Sequence, residues 1–156
     1  MSYDFNKQLS DGEAGERYLD DYFNTRFEIS KVNREGQRRG IDRVFKCRET
    51  GKTETIEYKT DKKAQYTHNA FIETVSVDTD RRKGWAYTCT ADLIFYYVPG
   101  DGLVYVLEPT VIRRLLPLWA ERYPTRKVRN NTYYTHGICV PLRELEACAR
   151  EVISNL

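Results

Sequence analysis

The chain has 156 residues, 40% of them hydrophobic and 31% charged, with a formal net charge of +2. That length suits one domain, on a prior of roughly 100–200 residues each; the balance is too apolar for a disordered chain and too charged for a membrane protein. The longest apolar run, Leu93 to Val98, is far short of the roughly 18 residues of a spanning helix, and Met1 to Asn6 shows no basic start leading into an apolar stretch, so no signal peptide and a soluble cytoplasmic protein are expected.

The small net charge hides a division along the chain. Residues 1–30 carry three basic and seven acidic groups, residues 31–63 eleven basic and six acidic, and residues 111–130 six basic and one acidic. Two basic blocks on a near-neutral chain suggest a local polyanion-binding face, with a solvated surface as the alternative. Cys47, Cys89, Cys139 and Cys148 form no close pair, which argues against a zinc knuckle and for plain buried thiols. With His68 and His136 the only histidines, both expected at the surface, any metal would be a hard ion held by carboxylates.

Ser10 and Glu13 stand at capping-box spacing and predict a helix start. Ala14, Tyr18, Leu19, Tyr22 and Phe23 then recur at helical intervals. Glu16 falls at the edge of that apolar face, whereas Asp20 and Asp21 are expected to point outward. Phe27 to Val32 reads as a first strand and Arg34 to Gly40 as a loop. Ile41 to Arg48 and Thr53 to Lys59 read as a hairpin turned at Glu49–Lys52. Residues 60–69 read as irregular or a short helix, Phe71 to Val77 as a strand, and Asp78 to Lys83 as a charged turn leading to Gly84-Trp85. Leu93 to Val98 and Leu103 to Leu107 flank Pro99-Gly100-Asp101-Gly102, the strongest hairpin signal in the chain. A helix is predicted from Thr110, kinked or ended by Pro117, then a strand from Ile138 to Leu142 and a closing amphipathic helix from Leu142 to Leu156. The expected architecture is α/β: one central mixed sheet, largely built of hairpins, flanked by helices.

The chemistry concentrates in Gly40-Ile41-Asp42 and, after the hairpin turn, Glu57-Tyr58-Lys59. Alternate side chains of a strand share a face, so Glu57 and Lys59 point together while Ile56 and Tyr58 face the other way. Asp42 begins the neighbouring strand and can come beside Glu57 if the register is right. Two converging carboxylates suit Mg²⁺, which takes one or two protein carboxylates and keeps several waters. Lys59 could orient a water or stabilise charge on a phosphate. The bland alternative pairs Asp42 and Glu57 with Arg43 or Lys59 as ordinary ion pairs. Glu73 reads as a structural partner for a basic side chain, Asp92 as a hydrogen-bonding residue at a strand start, and Trp85 as a core or loop anchor.

Asp42, the fourteen-residue gap, Glu57-Tyr58-Lys59 and Glu16 on a preceding helix together resemble the PD-(D/E)xK nuclease superfamily, with its restriction-endonuclease-like fold. Asn69-Ala70-Phe71-Ile72-Glu73, Gly84-Trp85 and Thr90-Ala91-Asp92 look like members found in phages and bacteria. Isoleucine stands where the name has proline, and that position holds no ligand. The resemblance covers about residues 10–107 as a catalytic core, with 108–156 as an extension of the same single domain, 1–156. It implies a Mg²⁺-dependent DNA endonuclease, with Mn²⁺ as a substitute, in which Asp42, Glu57, Glu16 and the backbone carbonyl of Tyr58 bind the metal and Lys59 sits by the scissile phosphate. Arg34, Arg38 and Arg39 before the site, and Lys62 and Lys63 after it, are expected to contact DNA. So are Arg126, Lys127 and Arg129, expected on a loop. A homodimer would place two sites about a two-fold axis to cut both strands. Two alternatives stand beside this: a catalytically silent nucleic-acid-binding module on the same fold, and a protein–protein adaptor using some of the twelve tyrosines.

Overall fold

The computed structural model describes residues 5–156. In chain order the elements are α1 (Phe5–Phe23), β1 (Phe27–Lys31), α2 (Arg34–Arg38), β2 (Arg43–Cys47), β3 (Thr53–Thr60), α3 (Ala64–Thr67), β4 (Asn69–Val77), β5 (Arg82–Lys83), α4 (Trp85–Thr88) and β6 (Leu93–Val98). A 3₁₀ turn at Pro99–Asp101 leads to β7 (Leu103–Leu107), α5 (Pro109–Arg122), β8 (Thr125–Arg129), β9 (Tyr134–Pro141), α6 (Leu142–Cys148) and β10 (Glu151–Ile153). The fold is mixed α/β around a six-stranded sheet of order β1-β2-β3-β6-β7-β10, in which β3 and β6 run parallel and the other neighbours antiparallel. A second sheet, β5-β4-β9-β8, was not expected from the sequence. No helix among the described residues is long and apolar enough to cross a membrane.

Strand alternation sorts the core into two layers. On one face of the central sheet Phe45, Ile56, Tyr58, Phe95 and Val106 pack against Leu19 and Phe23 of α1. On the other, Ile94, Tyr96, Val98 and Leu107 meet α5 through Ile112, Leu116 and Trp119, and meet the second sheet through Ile72, Ile138 and Val140. The periodic apolar positions of α1 and α5 therefore face opposite sides of one sheet.

Helix α1 crosses β3 closely at Gly15. A Cβ there would lie 2.1 Å from Thr60 Oγ1. Replacing glycine by alanine in an exposed helix interior usually stabilises by about 1 kcal/mol; here overpacking should reverse the sign. Gly15→Ala is expected to cost about 1–3 kcal/mol in a denaturant melt, with partial recovery in Gly15→Ala/Thr60→Ala.

Four expectations are corrected or narrowed. Helix α1 starts at Phe5, so Ser10 and Glu13 lie exposed within it and do not cap it. Residues 34–38 form a short helix rather than a loop, because the Asn33 side chain caps it by accepting the Gly36 N–H at 3.0 Å. Of the two outcomes expected at Pro117, an end to α5 is excluded: the helix continues to Arg122 with Pro117 exposed within it. The closing helix stops at Cys148, and β10 follows. Its β-branched Val152 and Ile153 suit the open edge of β7, where Val152 pairs with Tyr105 and Ile153 with Val104. Among the cysteines only Cys89 is buried, and all four are free.

Candidate active site

The β2–β3 register pairs Arg43 with Ile56 and Val44 with Thr55; continued one step, it sets Asp42 opposite Glu57. The Asp42 N–H donates to the Ile56 carbonyl at 2.8 Å, and its carboxylate Oδ2 accepts the Tyr58 N–H at 2.8 Å. The carboxylate thus takes the place of a backbone acceptor beside β3, which fixes it next to the strand that carries Glu57.

Glu57 and Lys59 share a face of β3, as alternation requires. Glu57 is 6% exposed, and its Oε1 lies 2.8 Å from Lys59 Nζ. The ammonium also sits 5.8 Å from the Trp85 ring centroid, and the Lys59 side chain keeps 31% of its surface. Burial pushes the Glu57 carboxyl up, and the Asp42 and Glu16 charges add to it; Lys59 opposes them without reversing the direction. Burial works against the Lys59 charge, but Glu57, Glu73 and Asp42 outweigh it and hold the ammonium above its ordinary value. Lys59 is therefore a fixed cation at neutral pH. Glu73 lies beside this charge with the Trp85 N–H as hydrogen-bond donor, and burial raises its pKa.

Glu16 is reached by a different route. Arg43 is buried on the α1 face of β2, and its guanidinium lies 3.6 Å from Glu16. Burial and Asp42 raise the Glu16 pKa. The main partner of Arg43, however, is Asp20: Nε and Nη2 donate to its two oxygens at 3.0 and 3.1 Å. The Tyr58 hydroxyl donates to Asp20 Oδ1 at 2.9 Å, and Arg43 Nη1 donates to the Asp42 carbonyl at 3.0 Å. Asp20 does not point outward, contrary to the sequence reading; Asp21 is exposed. The signal was present, since residues four apart share a helix face and Glu16 and Asp20 are such a pair. This cluster clamps α1 to the hairpin at Arg43, next to Asp42.

The carboxylates of Asp42, Glu57 and Glu16 are hard oxygen donors, and the Asp42 charge helps to raise the pKa of both Glu16 and Glu57, a donor set that fits Mg²⁺ or Mn²⁺. Among the described residues, no three His, Cys, Asp or Glu side chains are grouped closely enough to hold a metal ion. Asp42 and Glu57 are brought to adjacent strands, whereas Glu16 is drawn toward Arg43 and does not complete a three-ligand group. Two carboxylates are enough for magnesium, which keeps several of its waters.

Lys59 opens onto a cavity of about 400 Å³ between the end of β3 and one face of the second sheet. Lys62, Lys63 and Arg126 line it. Lys62 Nζ lies 2.9 Å from Asp11 Oδ1, and Lys63 is exposed at the start of α3. The expected loop at 125–129 is edge strand β8, and alternation divides its charges: Arg126 and Val128 line the cavity while Lys127 and Arg129 do not. Lys127 Nζ sits 4.7 Å from the Tyr134 ring centroid instead. Arg34, Arg38 and Arg39 are exposed on and just after α2, away from the cavity lining. Asp92 accepts the Thr55 N–H at 2.9 Å at the start of β6, the strand-start role read from sequence. His68 is exposed, whereas His136 is half-buried with Nε2 3.4 Å from Asp78 Oδ2.

Compared with protein-family models, with curated proteins and with solved structures, the chain has no match.

Proposed function

We propose that the chain is a Mg²⁺-dependent deoxyribonuclease of the PD-(D/E)xK kind, hydrolysing phosphodiester bonds at Asp42, Glu57 and Lys59. One observation carries the reading: Asp42 stands across from Glu57 on neighbouring strands, and Lys59, two residues on, is a fixed cation at the mouth of a cavity lined by further cations. A helix carrying Glu16 precedes the hairpin in a mixed sheet flanked by helices, which supports the reading. Asp42 and Glu57 would hold the metal with the Tyr58 carbonyl, and Glu16, drawn toward Arg43, would reach it through a bound water. The bound metal supplies Lewis-acid polarisation of the phosphoryl oxygen and a more acidic water. Lys59 contacts the scissile phosphate and stabilises the charge that develops on it, in a site where Trp85 excludes part of the solvent. Asp20, acting through Arg43, positions the Asp42 backbone.

Supercoiled plasmid incubated with the protein should be nicked or linearised in Mg²⁺ or Mn²⁺ and left intact in EDTA. The 2.8 Å Glu57–Lys59 pair favours a second reading, in which these groups are a structural strut in a catalytically silent DNA-binding module. Salt-dependent DNA binding with no cleavage in either metal would select it. In both readings Arg34, Arg38 and Arg39 track backbone phosphates. Changing all three to alanine should weaken binding to every duplex about equally and flatten the slope of log affinity against log salt by about 0.9 per lost contact. An unchanged slope would leave that helix as a solvated face.

A further inference from the structure

The second sheet presents one face to Lys59, and its composition differs from an ordinary solvated surface. Phe71 of β4 and Cys139 of β9 are cross-strand partners, as are Glu73 and Gly137, and Arg126 of β8 pairs with Gly137 from the other side. Phe71, Glu73, Cys139 and Arg126 all line the cavity. A Cβ on Gly137 would lie 2.5 Å from Phe71 Cζ, so the missing side chain lets the phenyl ring lie across the strand. The ring is half-buried, and what remains of it faces the same space as Lys59.

The acidic groups around this space are already answered. Asp11 pairs with Lys62 at 2.9 Å. Asp61 accepts the Tyr96 hydroxyl at 2.5 Å and the backbone N–H groups of Lys63 and Ala64 at 3.0 Å each. Glu73 lies against Lys59 and the Trp85 N–H. Lys63, at the start of α3, and Arg126, on β8, line the same cavity as exposed cations. An aromatic ring and cations lining one cavity are the parts that stack a base and hold its flanking phosphates. At about 400 Å³ the space is at the lower end of small-ligand pockets, roughly 300–1,000 Å³. A stacked duplex cannot enter it.

Resting on the nuclease reading, we infer that this cavity takes one unstacked nucleotide of a DNA strand, stacked on Phe71 with its phosphates held by Lys63 and Arg126. The substrate class is therefore DNA with a single-stranded end, gap or fork beside the bond presented to Lys59. Extrusion from a continuous duplex costs unpairing and unstacking, whereas a strand already single enters without that cost.

Binding separates this inference from the cleavage reading. Fluorescence anisotropy in EDTA would compare a labelled single-stranded oligonucleotide of about 12 nucleotides with a duplex of the same sequence closed by a hairpin at each end. The full chain should bind the single strand at least about tenfold more tightly. Phe71→Ala should lower that affinity about 5- to 100-fold, Phe71→Tyr should retain it, and neither should alter duplex binding. Arg126→Ala, at an exposed strand position, should flatten the single-strand salt slope by about 0.7 and serves if Phe71→Ala does not fold. Equal affinity for the two DNAs, no single-strand binding, or indifference to both Phe71→Ala and Arg126→Ala overturns the assignment. Free deoxynucleoside monophosphate binding as tightly as the oligonucleotide overturns it too. Cleavage of the closed duplex alongside any of these leaves the nuclease reading standing; Phe71-dependent single-strand binding without cleavage of any DNA does the reverse.

Discussion

Replacing Lys59 with methionine is expected to reduce plasmid cleavage in Mg²⁺ by about 10²–10³-fold, the usual loss when one fixed charge-stabilising group is removed. Methionine keeps an unbranched apolar side chain beside Trp85, so the change falls mainly on the charge. It also leaves Glu57 buried without its cation. Lys59 is the group that lowers the Glu57 pKa, so in the variant burial, Asp42 and Glu16 act on it unopposed and push it higher. A carboxyl whose folded pKa lies above its unfolded value contributes stability that is complete below the unfolded value and lost as pH rises through the folded one. Lys59→Met should therefore melt lower than the parent at neutral pH and recover in mild acid. Cleavage is to be compared at a temperature where circular dichroism shows both proteins folded. Parent-like cleavage by folded Lys59→Met would remove Lys59 from the chemistry.

Asp20→Ala is expected to destabilise the fold markedly, more than any other change at a polar position of α1 facing Arg43. It leaves the Arg43 guanidinium, whose residue is 4% exposed, with a glutamate at 3.6 Å and one backbone carbonyl, and it takes the acceptor from the Tyr58 hydroxyl. Removing one partner of a buried pair costs about 3–5 kcal/mol. Asp20 keeps a quarter of its side-chain surface (25%), so a loss of about 2–4 kcal/mol is expected. That corresponds to roughly 5–15 °C in Tm for a chain of this size. Asp20→Asn should lose less, and Asp20→Ala/Arg43→Met should regain most of the loss, because no buried charge then lacks a partner. A melt unchanged by Asp20→Ala would mean that the cluster does not hold α1 to the hairpin.

The hairpin was legible because three signals agree on it: a polar four-residue turn, β-compatible flanks, and a carboxylate and an amine two residues apart. Alternation then fixed which side chains share a face, and Glu57 and Lys59 do. Asp20 was less legible because a helical wheel takes a carboxylate near the apolar edge as solvated; the buried Arg43 on the α1 face of β2 is what draws it inward. The second sheet was hidden by its own edge. Thr125-Arg126-Lys127-Val128-Arg129 reads as a charged loop, yet basic side chains are what edge strands carry to keep other chains from pairing with them. At the C-terminus, the spacing of Leu142, Leu145, Cys148 and Val152 continues a helix pattern past the point where β7 offers a free edge. Long-range pairing decided that segment, and no local window contains it.

In the proposed nuclease, Asp42 and Glu57 jointly hold the ion that cleavage needs. Electron paramagnetic resonance of Mn²⁺ measures this without any DNA, by titrating the ion into the parent, Asp42→Asn and Glu57→Gln and following the free Mn²⁺ signal. The predicted result is a site on the parent that is lost or greatly weakened in each variant while both stay folded. Binding unchanged by both substitutions, or no Mn²⁺ binding by the parent, would contradict it.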